Sequence, residues 1–376
     1  MGAALQIFAR SALKSPACRA SIVHAYVVSY AASLLQALFL PVLSLYASYL
    51  GLSEAEVGVL AGVSLFLYVP SALLSEFIVR KHGYRRPTSA SLALIALSYA
   101  MLSAARTPVQ LAFAAGMVSL AYGIFWPSVE KAVSAQRGSV HAFSVSWSAG
   151  SLTGALSIAP LLNLGFQALY AICAATALAL TPLPLRFKGR SEEKSAARAS
   201  LRGMWKSWLL CVGYSTSAGG LLTFYPLVSE RLGLPSYSVS LATFSMMAGR
   251  TAAFYASSRL KLPALLSLPL LLAVAASPLS SSIPLHALLA AAAGVGQSLV
   301  YTLALEGVFN AGGAYTSVFE ATIGLGYALG PLIGAAARLL GFEALAASAA
   351  AAAALSLPPL VFRARRGAIE GGANPS

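Results

Sequence analysis

Aspartate is absent from this 376-residue chain, and its acidic side chains are 11 glutamates set against 25 lysines and arginines, for a net charge of +14. Charge of either sign makes up 10% of the residues, where soluble domains carry about 25%. So few charges cannot cover a water-facing globule. Cysteine is scarcer still: Cys18, Cys173 and Cys211 have neither the paired spacing of a metal site nor the density of a disulfide framework. Also missing are a glycine-rich phosphate loop between strand and helix, a nucleophile beside a base, and a cluster of metal-ligating side chains. These absences argue against an enzyme, and neither a cofactor nor a metal is expected.

What the chain has in excess is apolar sequence, 58% of all residues. Stretches of about 20 such residues, enough to cross roughly 30 Å of hydrocarbon, recur along its whole length. The predicted spans are 20–49, 54–79, 87–105, 108–132, 141–162, 165–185, 205–229, 236–258, 262–279, 284–309, 314–338 and 341–362, twelve in all. Turn chemistry separates them: Gly51 with Ser53, Arg106 to Pro108, Asn163 before Gly165, Gly233 with Pro235, Pro278 with Pro284, and Gly312-Gly313. The first run follows Arg10, Lys14 and Arg19 and is too long for a signal-peptide core, so it reads as a retained span.

The basic residues orient these spans. Of the 25 lysines and arginines, all but four fall in the same alternate connections as the amino end. The exceptions are Arg106, Arg231 and Arg338 in the other connections, and Arg250 inside a span. Positively charged short loops stay on the cytoplasmic side, which predicts a multi-pass cell-membrane protein with both termini in the cytoplasm. The positive charge thus belongs to topology in a lipid bilayer and calls for no nucleic-acid partner.

The longest polar segment, Lys188 to Arg202, lies midway. It divides the chain into a six-helix bundle at 1–186, a linker at 187–204, a second six-helix bundle at 205–363 and a tail at 364–376. At an offset of 176 residues Glu130 falls on Glu306, Glu54 on Glu230, Gly150 and Gly154 on Gly326 and Gly330, Pro87 on Pro263, and Arg85 on Lys261. Two matches among 11 acids point to a repeat. Parallel six-helix repeats with a substrate path between them are a transporter architecture.

With those features the chain resembles the major facilitator superfamily. Between the second and third spans that family typically carries G-x-x-x-D-R-x-G-R-[KR]-[KR]; here the stretch runs from Glu76 to Arg86, matching at Gly83, Arg85 and Arg86, with Glu76 at the glycine position and Arg80 at the aspartate. The resemblance implies a gate at Glu76, Gly83, Arg85 and Arg86, with Glu76 standing in for the aspartate. The fourth span lacks the arginine that the family often places before the position of Gly116. Trp147 to Leu156 and Glu320 to Gly334 are similar to the family's glycine-rich helices. Gly326, Gly330 and Gly334, four residues apart, suit close helix packing, and Pro331 suits a bend.

Ionisable groups at membrane depth are costly, and by default face a cavity or one another. Arg250, Glu306 and Glu320 fall at similar depths, so an ion pair between Arg250 and one of the glutamates is expected, whether structural or part of a transport cycle. Glu130, next to Lys131, reads as a solvated residue at the interface, and His24 as structural. Polar stripes mark the first span (Tyr26, Ser29, Ser33, Gln36, Ser44), the fourth (Ser119, Tyr122, Trp126, Glu130) and the seventh (Tyr214, Ser217, Tyr225), where Gly219-Gly220 suits a hinge. The resemblance implies that spans 1, 4, 7 and 10 line the path. The candidate binding or coupling residues are therefore Tyr30, Ser33, Gln36, Tyr122, Trp126, Tyr214, Arg250, Tyr301, Glu306 and Glu320. Tyrosines, tryptophan and small hydroxyls with little charge fit an organic solute of moderate polarity. The expectation is an all-α, twelve-helix secondary carrier: a monomer that works by alternating access, open to proton coupling, with export favoured. The alternative is a non-transporting membrane sensor or scaffold of the same fold.

Overall fold

The computed structural model describes residues 16–136, 139–187, 204–257, 263–310 and 316–371. The predicted linker lies almost wholly outside them, as do Arg10, Lys14, Arg259, Lys261 and the Gly312-Gly313 turn. Every regular element among the described residues is helical. The twelve helices are α1 (Pro16–Tyr49), α2 (Glu54–His82), α3 (Arg85–Ala104), α4 (Pro108–Ala135), α5 (Val140–Leu162), α6 (Phe166–Leu180), α7 (Trp205–Arg231), α8 (Tyr237–Ser257), α9 (Ala264–Leu279), α10 (Ile283–Asn310), α11 (Thr316–Leu339) and α12 (Ala344–Gly371). The last continues into the predicted tail.

Nine of these helices, among the described residues, are long and apolar enough to cross a membrane; α7, α8 and α9 are not in that set. The reason for α7 is its position. It is buried from Leu210 to Ser229, so neighbouring helices, not lipid, face its serines, threonines and glycines. For α9 the reason is proline: Pro263 precedes it and Pro269 and Pro278 lie within it, and the helix is assembled from short 3-10 and α turns.

Local chemistry sets the course of α2. Ser53 caps its first turn, accepting from the Glu56 amide at 3.3 Å while Glu56 Oε2 accepts from the Ser53 amide at 2.8 Å. The helix breaks at Leu67; shortly beyond it, Pro70 lacks an amide proton and crowds the carbonyl of Phe66. At its end Gly83 has φ +69°, a left-handed conformation that glycine adopts without strain.

The two halves pack alike. α1 lies on α5 as α7 lies on α11, α2 on α4 as α8 on α10, and α3 on α6 as α9 on α12. Glycines fix the crossings. A Cβ on Gly150 or Gly154 would stand 2.0 Å from Tyr30 O or 2.3 Å from Leu34 O. On Gly326 or Gly330 it would stand 2.4 Å from Val212 O or Thr216 O. Tyr30 to Val212 and Leu34 to Thr216 are each 182 positions apart, while the glycines keep the offset of 176.

Between the halves run three main contacts: α1 on α7, α5 on α8, and α2 on α11. The last extends along both helices. Gly58 lies against Pro331 and Ala335, Gly62 against Ala328 and Leu332, and Gly324 against the Tyr68 ring. Gly219 and Gly220, expected as a hinge, are instead points of close packing inside an unbroken α7, against the Tyr327 backbone and Ser348.

Candidate functional site

A central cavity of about 180 Å³ opens between the halves. A water needs about 10–15 Å³ on the same measure, so the space accepts a small organic molecule. The first half contributes Ser33, Gln36, Trp126, Glu130 and Trp147; the second contributes Tyr214, Arg250, Tyr301, Glu320 and Tyr327. Rings dominate the wall, and both signs of charge are present.

Seven of the ten candidate binding residues meet there: Ser33, Gln36, Trp126, Tyr214, Arg250, Tyr301 and Glu320. Gln36 Oε1 accepts from Trp126 Nε1 at 2.8 Å, which ties α1 to α4 and fixes both side chains at the wall. Ser33 shares a 2.9 Å hydrogen bond with Ser151. Tyr214 and Tyr301 meet edge to face at 5.0 Å. The other three lie elsewhere. Tyr30 donates to Thr153 Oγ1 at 3.1 Å, between α1 and α5. Tyr122 is buried and donates to Ala32 O at 2.9 Å, and Glu306 is exposed on α10.

The expected pairing of Arg250 with Glu306 or Glu320 is also absent among the described residues. Arg250 Nη2 contacts Met247 Sδ at 2.9 Å, and its Nε has no hydrogen-bond partner. Glu320 accepts instead from the Tyr68 hydroxyl, across the boundary between the halves. Similar depth places two groups on one level without deciding which way their helices turn them.

Glu130, read as a solvated interfacial residue, lines the cavity. Its supposed equivalent Glu306 does not, because the repeat has a different register in this helix pair. A Cβ on Gly123 would meet Tyr68 O and Ala72 N; on Gly294 it would meet Met246 O and Arg250 N, the same crossing seen twice. Those glycines are 171 positions apart. On that register Glu130 corresponds to Tyr301, which also lines the cavity. Tyr68, Trp147, Phe254 and Tyr327 are further wall residues that the sequence stripes passed over.

Polar contacts join the halves beyond both ends of the cavity. On the face where α2 ends and α11 begins, Lys131 Nζ meets Glu76 Oε2 at 2.6 Å and Ser317 Oγ donates to the same oxygen at 3.1 Å. Glu76 thus contacts α11, whereas Arg85 and Arg86 are exposed at the start of α3. On the opposite face Glu54 binds Arg231 at 3.1 Å and Arg338 at 2.8 Å, while Glu343 binds Arg231 at 2.9 Å and lies 3.7 Å from Arg338. Ser48 Oγ donates to Glu230 at 2.8 Å beside them.

The Major Facilitator Superfamily model matches residues 25–310, most of the chain, from within α1 to the end of α10. The chain belongs to the major facilitator superfamily. This member is a membrane transporter of a solute and not an enzyme. No curated protein matches it significantly. Among solved structures, a bacterial homologue of the human lysosomal transporter Spinster, inward-facing and occupied, superposes with a TM-score of 0.69 at 12% identity, covering 94% of this chain and 96% of that one. A point mutant of the nucleoside transporter NupG superposes with a TM-score of 0.68 at 15% identity, covering 91% and 99%. At such identity these likenesses speak for the fold alone.

Proposed function

We propose that this superfamily member is a secondary active carrier that moves a small organic solute through the central cavity by alternating access. The observation that carries the proposal is one ring-lined cavity, bounded by both halves, that holds Glu130, Glu320 and Arg250 at its wall. Polar contacts at either end supply two closures that can open in turn. Glu76 on one face and the Glu54 cluster on the other are the gate residues in this reading.

Proton coupling is assigned to the two cavity carboxylates. Glu320 accepts a hydrogen bond from the Tyr68 hydroxyl of the other half, so a change of protonation there acts directly on the joint between them. Besides these groups the cavity wall presents Tyr214, Tyr301, Tyr327 and the Arg250 guanidinium. The working arrangement is a monomer in the cell membrane, both termini cytoplasmic, exporting solute against inward proton flow.

Vesicles containing the purified chain test this. Uptake or release of a member of a broad solute panel should accelerate when a pH gradient is imposed, and Glu320→Gln should uncouple flux from that gradient. Solute binding with no flux under either polarity would sink the carrier reading and favour a sensor. A tag at the carboxyl end that is accessible only from outside intact cells would overturn the orientation.

A further inference from the structure

The cavity wall contains a cation that the protein leaves incompletely answered. Arg250 stands in α8 with its Nε buried and, among the described residues, without a hydrogen-bond partner, while its Nη2 contacts a thioether, Met247 Sδ. Sulfur of this kind is a weak acceptor. Tyr327, which carries a phenol, lines the same wall. Among the described residues no carboxylate forms an ion pair with it. Glu320, which shares the cavity, is engaged by the Tyr68 hydroxyl. An arginine at membrane depth without a counter-charge is costly, and such a group commonly marks a ligand counter-ion site. Its guanidinium fork suits a carboxylate or similar oxyanion better than any neutral group.

The remaining wall defines what the anion must carry. Trp126 and Trp147 from the first half face the same space as Phe254 and Tyr301 from the second. Phe254 and Tyr301 have ring centroids 6.0 Å apart, and Tyr301 is 5.0 Å from Tyr214. These rings offer faces and edges to a flat apolar body. A small inorganic anion or a sugar would leave them unsatisfied. Resting on the carrier reading above, we infer that the substrate class is an organic monoanion with an aromatic or similarly flat body, its anionic group seated on Arg250. The two cavity glutamates disfavour a second negative charge. In a cell with a negative interior, outward movement of such an anion is favoured by about 2.3 kcal/mol per 100 mV, in line with export.

Three probes of one shape separate charge from shape: 2-naphthoate, 2-naphthamide and 2-naphthylmethylamine. Added to the full chain in lipid nanodiscs, naphthoate should raise the melting temperature and quench tryptophan fluorescence saturably. The amide and the amine should bind about tenfold or more weakly, the loss that follows from removing one partner of a desolvated charge pair. Arg250→Lys should weaken naphthoate binding about tenfold because the fork is lost, and Arg250→Gln should abolish the preference for acid over amide. The lysine variant keeps a cation, so the test survives if the glutamine variant folds poorly.

Equal or tighter binding of the amide or amine would overturn the assignment. So would naphthoate binding that ignores both substitutions, or failure of all three probes to bind. Naphthoate bound but not transported in vesicles would leave the anion site standing and remove the carrier reading. Transport of a neutral or cationic solute that naphthoate does not inhibit would do the reverse.

Discussion

Arg250 shows how much one side chain's direction decides. Its position inside an apolar span is plain in the sequence, and an acidic partner on α10 or α11 is the natural expectation. In the folded chain it points into the cavity, against Met247 Sδ. This reverses the expected effect of mutation. Were it paired with a glutamate, Arg250→Gln would strand a buried carboxylate; without that counter-charge, its loss removes a costly charge. Arg250→Gln is therefore expected to melt at or above the parent temperature in detergent. A strongly destabilised single mutant rescued by Glu320→Gln would contradict the geometry. Glu130 teaches the complementary lesson. Its neighbour Lys131 suggests a solvated end of the helix, but Lys131 turns to Glu76 while Glu130, one residue earlier and about 100° round the helix, faces the cavity.

For the helices, the glycines legible in the sequence do what their spacing implies. Gly150, Gly154, Gly326 and Gly330 each meet the backbone of the facing helix, where no side chain can move aside. Gly326→Ala would bring a methyl to 2.4 Å from Val212 O and 2.0 Å from Ser215 Oγ, and should destabilise the protein by about 1–3 kcal/mol. Gly116→Ala meets only Leu67 Cδ1, at 2.8 Å, a side-chain end that can shift, so its cost should be under about 1 kcal/mol. Thermal melts of the two variants beside the parent check the order. Removing the cap of α2 with Ser53→Ala should cost about 1 kcal/mol by the same assay. Helix limits agree closely with the sequence reading because capping and turn residues act locally. The polar stripes are less reliable guides. Tyr30 and Tyr122 carry hydroxyls at helical spacing, yet they satisfy Thr153 and the Ala32 carbonyl between helices, a use that a stripe alone does not distinguish from a cavity wall.

Across the whole molecule, the α2–α11 boundary bears on both closures of the proposed cycle, with Glu54 at one end and Glu76 at the other. Weakening either should bias the carrier toward opening on that face. Glu54→Gln should raise the rate at which an impermeant maleimide labels Ala55→Cys, buried beside the cluster, by roughly two- to fivefold, the effect of about 0.5–1 kcal/mol from a partly exposed ion pair. Glu76→Gln should lower that rate, because it favours the opposite opening. Equal labelling in all three backgrounds would show that neither contact is a gate. The sequence by itself determined that the chain spans a membrane and the number and limits of its helices. These follow from hydrophobic length, local turn chemistry and spacing, none of which requires knowing what touches what. The tertiary structure alone decided which polar residues face the cavity, that the register of the repeat changes from 176 to 171 between helix pairs, and that Tyr68 reaches Glu320 across the halves. Those outcomes depend on the rotation of each helix about its axis, where a shift of one residue turns a side chain by about 100°, and on packing between segments 252 residues apart.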